Sequence, residues 1–220
     1  AYERCSEVAQ QSGNDVGSAI ASANVGEVLI NQRRFDEAEP MLESALRVLR
    51  ASGHLPAMSF VESELARLSL RRGDLLIAES LLLEMRDRSA AAGEALNVLN
   101  ATLLLAEVKL DEGDLAAAQE FIDNAGREGD ELLELFGPTL GRLRARVAAG
   151  RGHTDQALDE IELALEQARA QAVLYEQALL LMAKAEISVA AGRGVDIDES
   201  SETDRLIDEL GIRREPVQAT

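Results

Sequence analysis

The chain has 220 residues, of which 46% are apolar and only 3% aromatic, with no Trp and four Pro. A core of that composition is built from Leu, Ala, Val and Ile, and because Ala and Leu are strong helix formers the chain reads as all-α. A formal net charge of −18 argues against this surface gripping a phosphate backbone, so direct nucleic-acid binding is not expected.

The single Cys5 can form no internal disulfide, and nothing suggests an oxidising compartment. Apolar runs such as Leu103-Leu104-Leu105-Ala106 are far too short to span a bilayer, and no apolar stretch follows Ala1-Tyr2-Glu3-Arg4 to make a signal peptide. The expectation is a cytoplasmic protein without membrane contact.

In chain order, residues 1–13 come first, where Tyr2, Cys5 and Gly13 match Leu42, Ala45 and Gly53 one block later. The chain is therefore expected to start inside the second helix of a repeat, as a fragment of a longer protein. Its N-terminal face, with Tyr2, Cys5 and Val8, would then be apolar and suited to a missing domain or a homodimer partner. Helix 15–33 follows, carrying Val16, Ile20, Ala23, Val28 and Leu29 on one stripe. Gly26 within it implies close approach of a neighbouring helix, since Gly costs about 1 kcal/mol there relative to Ala. Helix 36–52 begins with Asp36, Glu37 and Glu39 against its positive end and stops at Gly53, with Pro40 awkwardly inside it.

Helices are next expected over 56–72, 75–92, 95–112 and 115–127, with Asp74 and Asp114 as N-caps. The segment 130–149 carries Gly137 and Pro138 and is expected to kink there. Thr154 is expected to cap helix 154–171, and 173–191 follows. Past Gly194 an acidic loop leads to Ser201-Glu202-Thr203-Asp204, read as a capping box for a closing helix over 202–210.

These elements repeat. Gly113-Asp114-Leu115-Ala116-Ala117-Ala118 stands forty residues after Gly73-Asp74-Leu75-Leu76-Ile77-Ala78, and alanines recur at 38, 78, 118 and 157. A small residue lies twelve positions before each (Gly26, Ala66, Ala106, Ala145), and another seven after, at Ala45, Ala125 and Ala164, with Met85 as the exception. A period of this length marks helix pairs that bury their apolar faces only against one another. The expected units are a remnant over 1–13, repeats over 14–53, 54–93, 94–129 and 130–171, a degenerate capping repeat over 172–212 and a tail over 213–220.

The offsets of these small residues resemble the tetratricopeptide repeat, with Val25, Leu65 and Leu105 before the first of them and Leu42, Leu82, Ile122 and Ile161 four after the middle alanine. The period of about 40 exceeds the usual 34. In that respect the chain is similar to the C-terminal tetratricopeptide arrays of bacterial class III adenylyl or guanylyl cyclases with a central ATPase domain, and to ATP-dependent LuxR-type regulators. The resemblance implies a right-handed α-solenoid of about five antiparallel helix pairs. It also implies a ligand groove on the first helices, whose positions here are Glu27, Asn31, Phe60, Arg67, Arg71, Asn100, Glu107, Asp111, Arg142, Arg146 and Glu186.

The arginines among them would anchor carboxylates of an acidic segment, unless each is already neutralised by an acid such as Glu107 or Asp111. The carboxylate clamp of chaperone-binding relatives is absent, since Ala23, Glu27, Glu64, Asn100 and Leu104 occupy its positions. His54 and His153 lie in turns without partners at metal-ligand spacing, and no phosphate-binding Gly-x-x-x-x-Gly-Lys run occurs. No catalysis, metal or cofactor is expected of this chain. The expected role is an interaction module for a protein, a peptide or a neighbouring domain; the alternatives are a small-molecule sensor and a dimerisation module.

Overall fold

The computed structural model describes residues 14–127 and 130–213, the side chains of 130–133 excepted. Tyr2, Cys5 and Val8, with the whole 1–13 remnant, lie outside the described residues. Among the described residues there are ten helices and no strand. They are α1 (Asp15–Asn31), α2 (Phe35–Ser52), α3 (Leu55–Arg72), α4 (Leu75–Ala92), α5 (Ala95–Asp111), α6 (Leu115–Ala125), α7 (Asp130–Gly150), α8 (Thr154–Ala170), α9 (Leu174–Ala190) and α10 (Ile197–Leu210). None is long and apolar enough to cross a membrane.

The helix ends share one device. Residues with left-handed backbone fall about every twenty positions: Arg33, Gly53, Gly73, Gly93, Gly113, Gly152, Ala172, Gly192 and Gly211. After each, the next amide reaches back five residues, as His54 N–H does to the Leu49 carbonyl (3.2 Å) and Asp74 N–H to that of Ser69 (2.9 Å). This closes the orphan carbonyls of the last turn and sends the chain back along the helix it has left. Among the described helices only α6 ends otherwise, at Gly126 in right-handed conformation.

Helix starts differ from expectation in three places. Asp114 accepts from Ala117 N–H as expected (3.0 Å), but Asp74 stands at the N-cap without a side-chain bond. Thr154 is the first residue inside α8, and His153 takes the cap position. The closing helix begins five residues before the expected start: Asp196 accepts from the N–H groups of Asp198 (2.8 Å) and Glu199 (3.2 Å). Ser201 is thereby inside α10, its hydroxyl donating to the Ile197 carbonyl. A capping box needs an open N-terminus, and Asp196 has already supplied it. Helix α7 continues through Pro138 as one element.

Packing follows the small-residue register. Ala38, Ala66, Ala78, Ala106, Ala118, Ala145 and Ala157 are all fully buried. A Cβ on Gly26 would stand 2.7 Å from Leu42 Cδ2, and one on Gly141 2.7 Å from Ala164 Cβ, so α1 meets α2 and α7 meets α8 at backbone distance. The core is a strip of four apolar clusters in chain order, not a single centre. Val28, expected on the buried stripe, is instead 39% exposed. Consecutive helices pack side by side, and the odd-numbered helices α1, α3, α5, α7 and α9 also touch one another in turn. The even-numbered helices stand further apart outside them, so the layer curves with the odd helices on its concave side.

Basic side chains at the ends of odd helices clasp the preceding even helix. Arg72 holds Asp36 (2.9 Å) and Glu39 (2.8 Å), Lys109 holds Glu79 (2.5 Å), and Arg193 holds Asp155 (2.6 Å). The curvature brings the end of α1 to the end of α10. Gln32 Nε2 donates to the Leu210 carbonyl (3.1 Å), Arg213 N–H donates to the Gln32 carbonyl (3.3 Å), and the Arg213 guanidinium lies 3.6 Å from Glu37.

Candidate binding cavity

The odd-numbered helices line an open hollow of about 410 Å3, to which all five of them contribute together with Val173 just before α9. Of the residues expected in the groove, Glu27 and Asn31 on α1, Phe60, Arg67 and Arg71 on α3, Asn100 and Glu107 on α5, and Arg142 on α7 all line it. These positions converge because each lies on the concave face, where spacing of three or four residues keeps side chains together. Three expected residues fall elsewhere. Asp111 and Arg146 pair with each other at 2.6 Å beyond the hollow, and Glu186 faces α10 across a separate depression. Ile30, Leu70 and Leu110, at neighbouring register positions, are buried in the core.

Two ionic networks cross the cavity wall. In the first, Arg67 Nη1 donates to both carboxylate oxygens of Glu64 (2.9 and 2.8 Å), and Nη2 donates to Asn31 Oδ1 (2.5 Å), tying α3 to α1. Glu64 is 4% exposed. Burial pushes its carboxyl up from the ordinary range; Arg67 pulls it down, and the nearby Glu27 carboxylate pushes it up further. In the second, Glu107 accepts from Arg71 (3.0 Å) and Arg142 (3.3 Å) and lies 3.8 Å from Arg146. Arg142 also holds Glu176 (3.1 Å), which accepts from the Thr139 hydroxyl (2.7 Å), so one lattice joins α3, α5, α7 and α9. Burial alone would raise the Glu107 carboxyl; the guanidinium groups of Arg142, Arg71 and Arg146 outweigh it and hold the group well below the usual carboxylate range.

All four arginines considered as anion anchors are therefore engaged. Arg71, Arg142 and Arg146 each meet an acid roughly one repeat away, whereas Arg67 takes Glu64 from its own helix. Buried pairs of this kind contribute little net stability against their desolvation, but removing one partner is costly. They join the inner helices α3, α5, α7 and α9 to one another.

Between the networks lie the apolar surfaces of Phe60, Leu96, Leu103, Phe136 and Leu179, with Tyr175 on the α9 side. Glu176 and Tyr175 escape a reading of the sequence because they sit in the first turn of α9, where an acid simply complements the helix dipole. Ser63 in the wall donates to the Phe60 carbonyl (2.7 Å), and no histidine lines the hollow. His54 caps α3, its Nδ1 accepting from Ala57 N–H (3.3 Å). What the arrangement offers chemically is shape, fixed charge and hydrogen bonding.

No protein-family profile matches the chain, and no curated protein matches it. Among solved structures, the chain is similar to the crystal structure of BtubC (BKLC) from P. vanneervenii, with a TM-score of 0.61 at 14% identity, over 100% of this chain and 93% of that one. At that identity the likeness is one of fold.

Proposed function

We propose that the chain is a non-catalytic interaction and regulatory module: a right-handed α-solenoid of about five tetratricopeptide-like helix pairs, which takes a protein segment or neighbouring domain into the hollow of its inner helices. The observation that carries this reading is the shared lining of one cavity by all five odd-numbered helices. An occupant of that space touches every repeat at once, so its binding energy is available to shift the whole array. In a larger bacterial signalling protein of the cyclase or LuxR-regulator kind, such a shift would be passed to an output domain elsewhere in the chain.

A second reading, a small-molecule effector site, is favoured by the size of the hollow. About 410 Å3 lies within the range of roughly 300–1,000 Å3 usual for small-ligand pockets. Asn100→Arg tests both readings, because Asn100 lines the hollow without a hydrogen-bond partner among the described residues and a longer side chain there fills the space. Peptides selected from a random displayed library, or small ligands found by a thermal-shift screen, should lose binding to this variant while its helical circular dichroism stays unchanged. Binders indifferent to Asn100→Arg would place recognition outside the cavity and defeat the reading.

A further inference from the structure

We infer that the cavity selects a partner segment carrying a positively charged side chain, a Lys or Arg beside an apolar residue, with Glu27 as its counter-charge. This rests on the reading of the hollow as a binding site, and it reverses the sign that its arginines suggest. Four carboxylates line the hollow, Glu27, Glu64, Glu107 and Glu176, against three guanidinium groups, Arg67, Arg71 and Arg142. The imbalance is local. Glu107 and Glu176 are matched by Arg71 and Arg142, whereas Glu27 and Glu64 share Arg67, whose Nη1 is committed to Glu64 and Nη2 to Asn31. Glu27 is half-buried and makes no hydrogen bond or ion pair among the described residues, although its charge is felt by both Arg67 and Glu64.

An incoming carboxylate would have to displace one of these acids from a guanidinium it already holds, and would leave that acid buried and unpaired. An incoming ammonium or guanidinium meets Glu27 without breaking any existing pair, and relieves its repulsion of Glu64. The rest of the lining suits the stem and flanks of such a group. Phe60 and Tyr175 offer aromatic faces, and the Asn100 amide is unengaged.

The test uses the full chain, immobilised, and a phage-displayed library of random nonapeptides, with the Asn100→Arg variant as counter-selection so that only cavity-dependent binders are scored. Lys or Arg should be enriched several-fold over the library at one position, next to an apolar residue. Glu27→Gln should weaken the best such peptide by about tenfold, and selection on Glu27→Lys should lose the basic preference or exchange it for Asp and Glu, with helical content unchanged in both variants. Cavity-dependent binders that are acidic or uncharged, or a basic preference untouched at Glu27→Lys, would overturn the inference while leaving the cavity itself as the binding site. Failure to find any binder sensitive to Asn100→Arg would remove the underlying reading as well. If free arginine amide binds as tightly as the selected peptide, the occupant is a small cation and the proposed protein segment is wrong.

Discussion

Glu107→Gln removes the one carboxylate that three guanidinium groups share, and it is expected to destabilise the whole inner layer. The Glu107 side chain is 3% exposed and stands 3.0 Å from Arg71, 3.3 Å from Arg142 and 3.8 Å from Arg146. An amide of the same shape keeps one acceptor but turns its N–H donors toward cations. Breaking a buried ion pair typically costs ~3–5 kcal/mol. Here Arg142 retains Glu176, Arg146 retains Asp111, and the Arg71 side chain is 27% exposed, which brings the loss to the bottom of that range or just below it, about 2–3 kcal/mol. For a chain of this length that is a drop of roughly 4–12 °C in Tm.

The pH dependence has a definite sign. Because the folded-state pKa of Glu107 is depressed, its stabilisation is present above the ordinary glutamate range near ~4.3 and is lost progressively as pH falls below it. The gap between wild type and variant should therefore be widest at neutral pH and shrink on acidification. Urea unfolding followed by circular dichroism at a series of pH values measures both. An equal midpoint at neutral pH, or a gap that grows in acid, would refute the assigned network.

Ala118, fully buried at the α5–α6 contact, leaves no room for a larger side chain, so Ala118→Leu should lower stability by ~1–3 kcal/mol in the same urea assay. Ala172 is exposed and adopts φ +56°, a conformation that side chains disfavour, so Ala172→Gly should raise the unfolding free energy by about 0.5 kcal/mol, after the gain in unfolded-chain entropy is set against the relieved strain. Asp196→Ala should cost ~1 kcal/mol and speed hydrogen exchange at the Asp198 and Glu199 amides, whereas Ser201→Ala should change stability by less than about 0.5 kcal/mol.

What could be read from the residues was whatever chain contact demands at short range. Ala38, Ala78 and Ala118 recur because two helix backbones meet there and only a small side chain fits, so their burial follows from spacing alone. The residues that line the cavity were largely legible for the same reason, since they occupy one face of each inner helix. Their pairing was legible in part: Glu107 and Asp111 were expected as neutralising acids and hold Arg71, Arg142 and Arg146, but the Arg67–Glu64 pair was not foreseen. Whether Arg67 reaches Glu64 three residues back or an acid on the next inner helix depends on how strongly the layer curves, which no local pattern states. The early start of α10 was hidden by competition between two plausible caps, Asp196 and Ser201, of which the first in the chain prevailed. Glu39, Glu79 and Gln119, forty apart, each receive a basic side chain from the following inner helix or the turn after it, from Arg72, Lys109 and Arg151 respectively.

The meeting of Gln32 with Leu210 and Arg213 links α1 to α10, the first and last of the described helices. In an open stack a displacement at one helix dies away toward the ends, which are at liberty to swing. With α1 and α10 in contact, a widening of the central hollow is shared between a small tilt of the inner helices and a parting of that seam. Among the described residues the seam includes the contacts of Gln32 with Leu210 and of Arg213 with Gln32 and Glu37, while the inner layer is joined by buried ion pairs. Strain introduced at the hollow would thus be felt at the contact of Gln32 with Leu210 and Arg213.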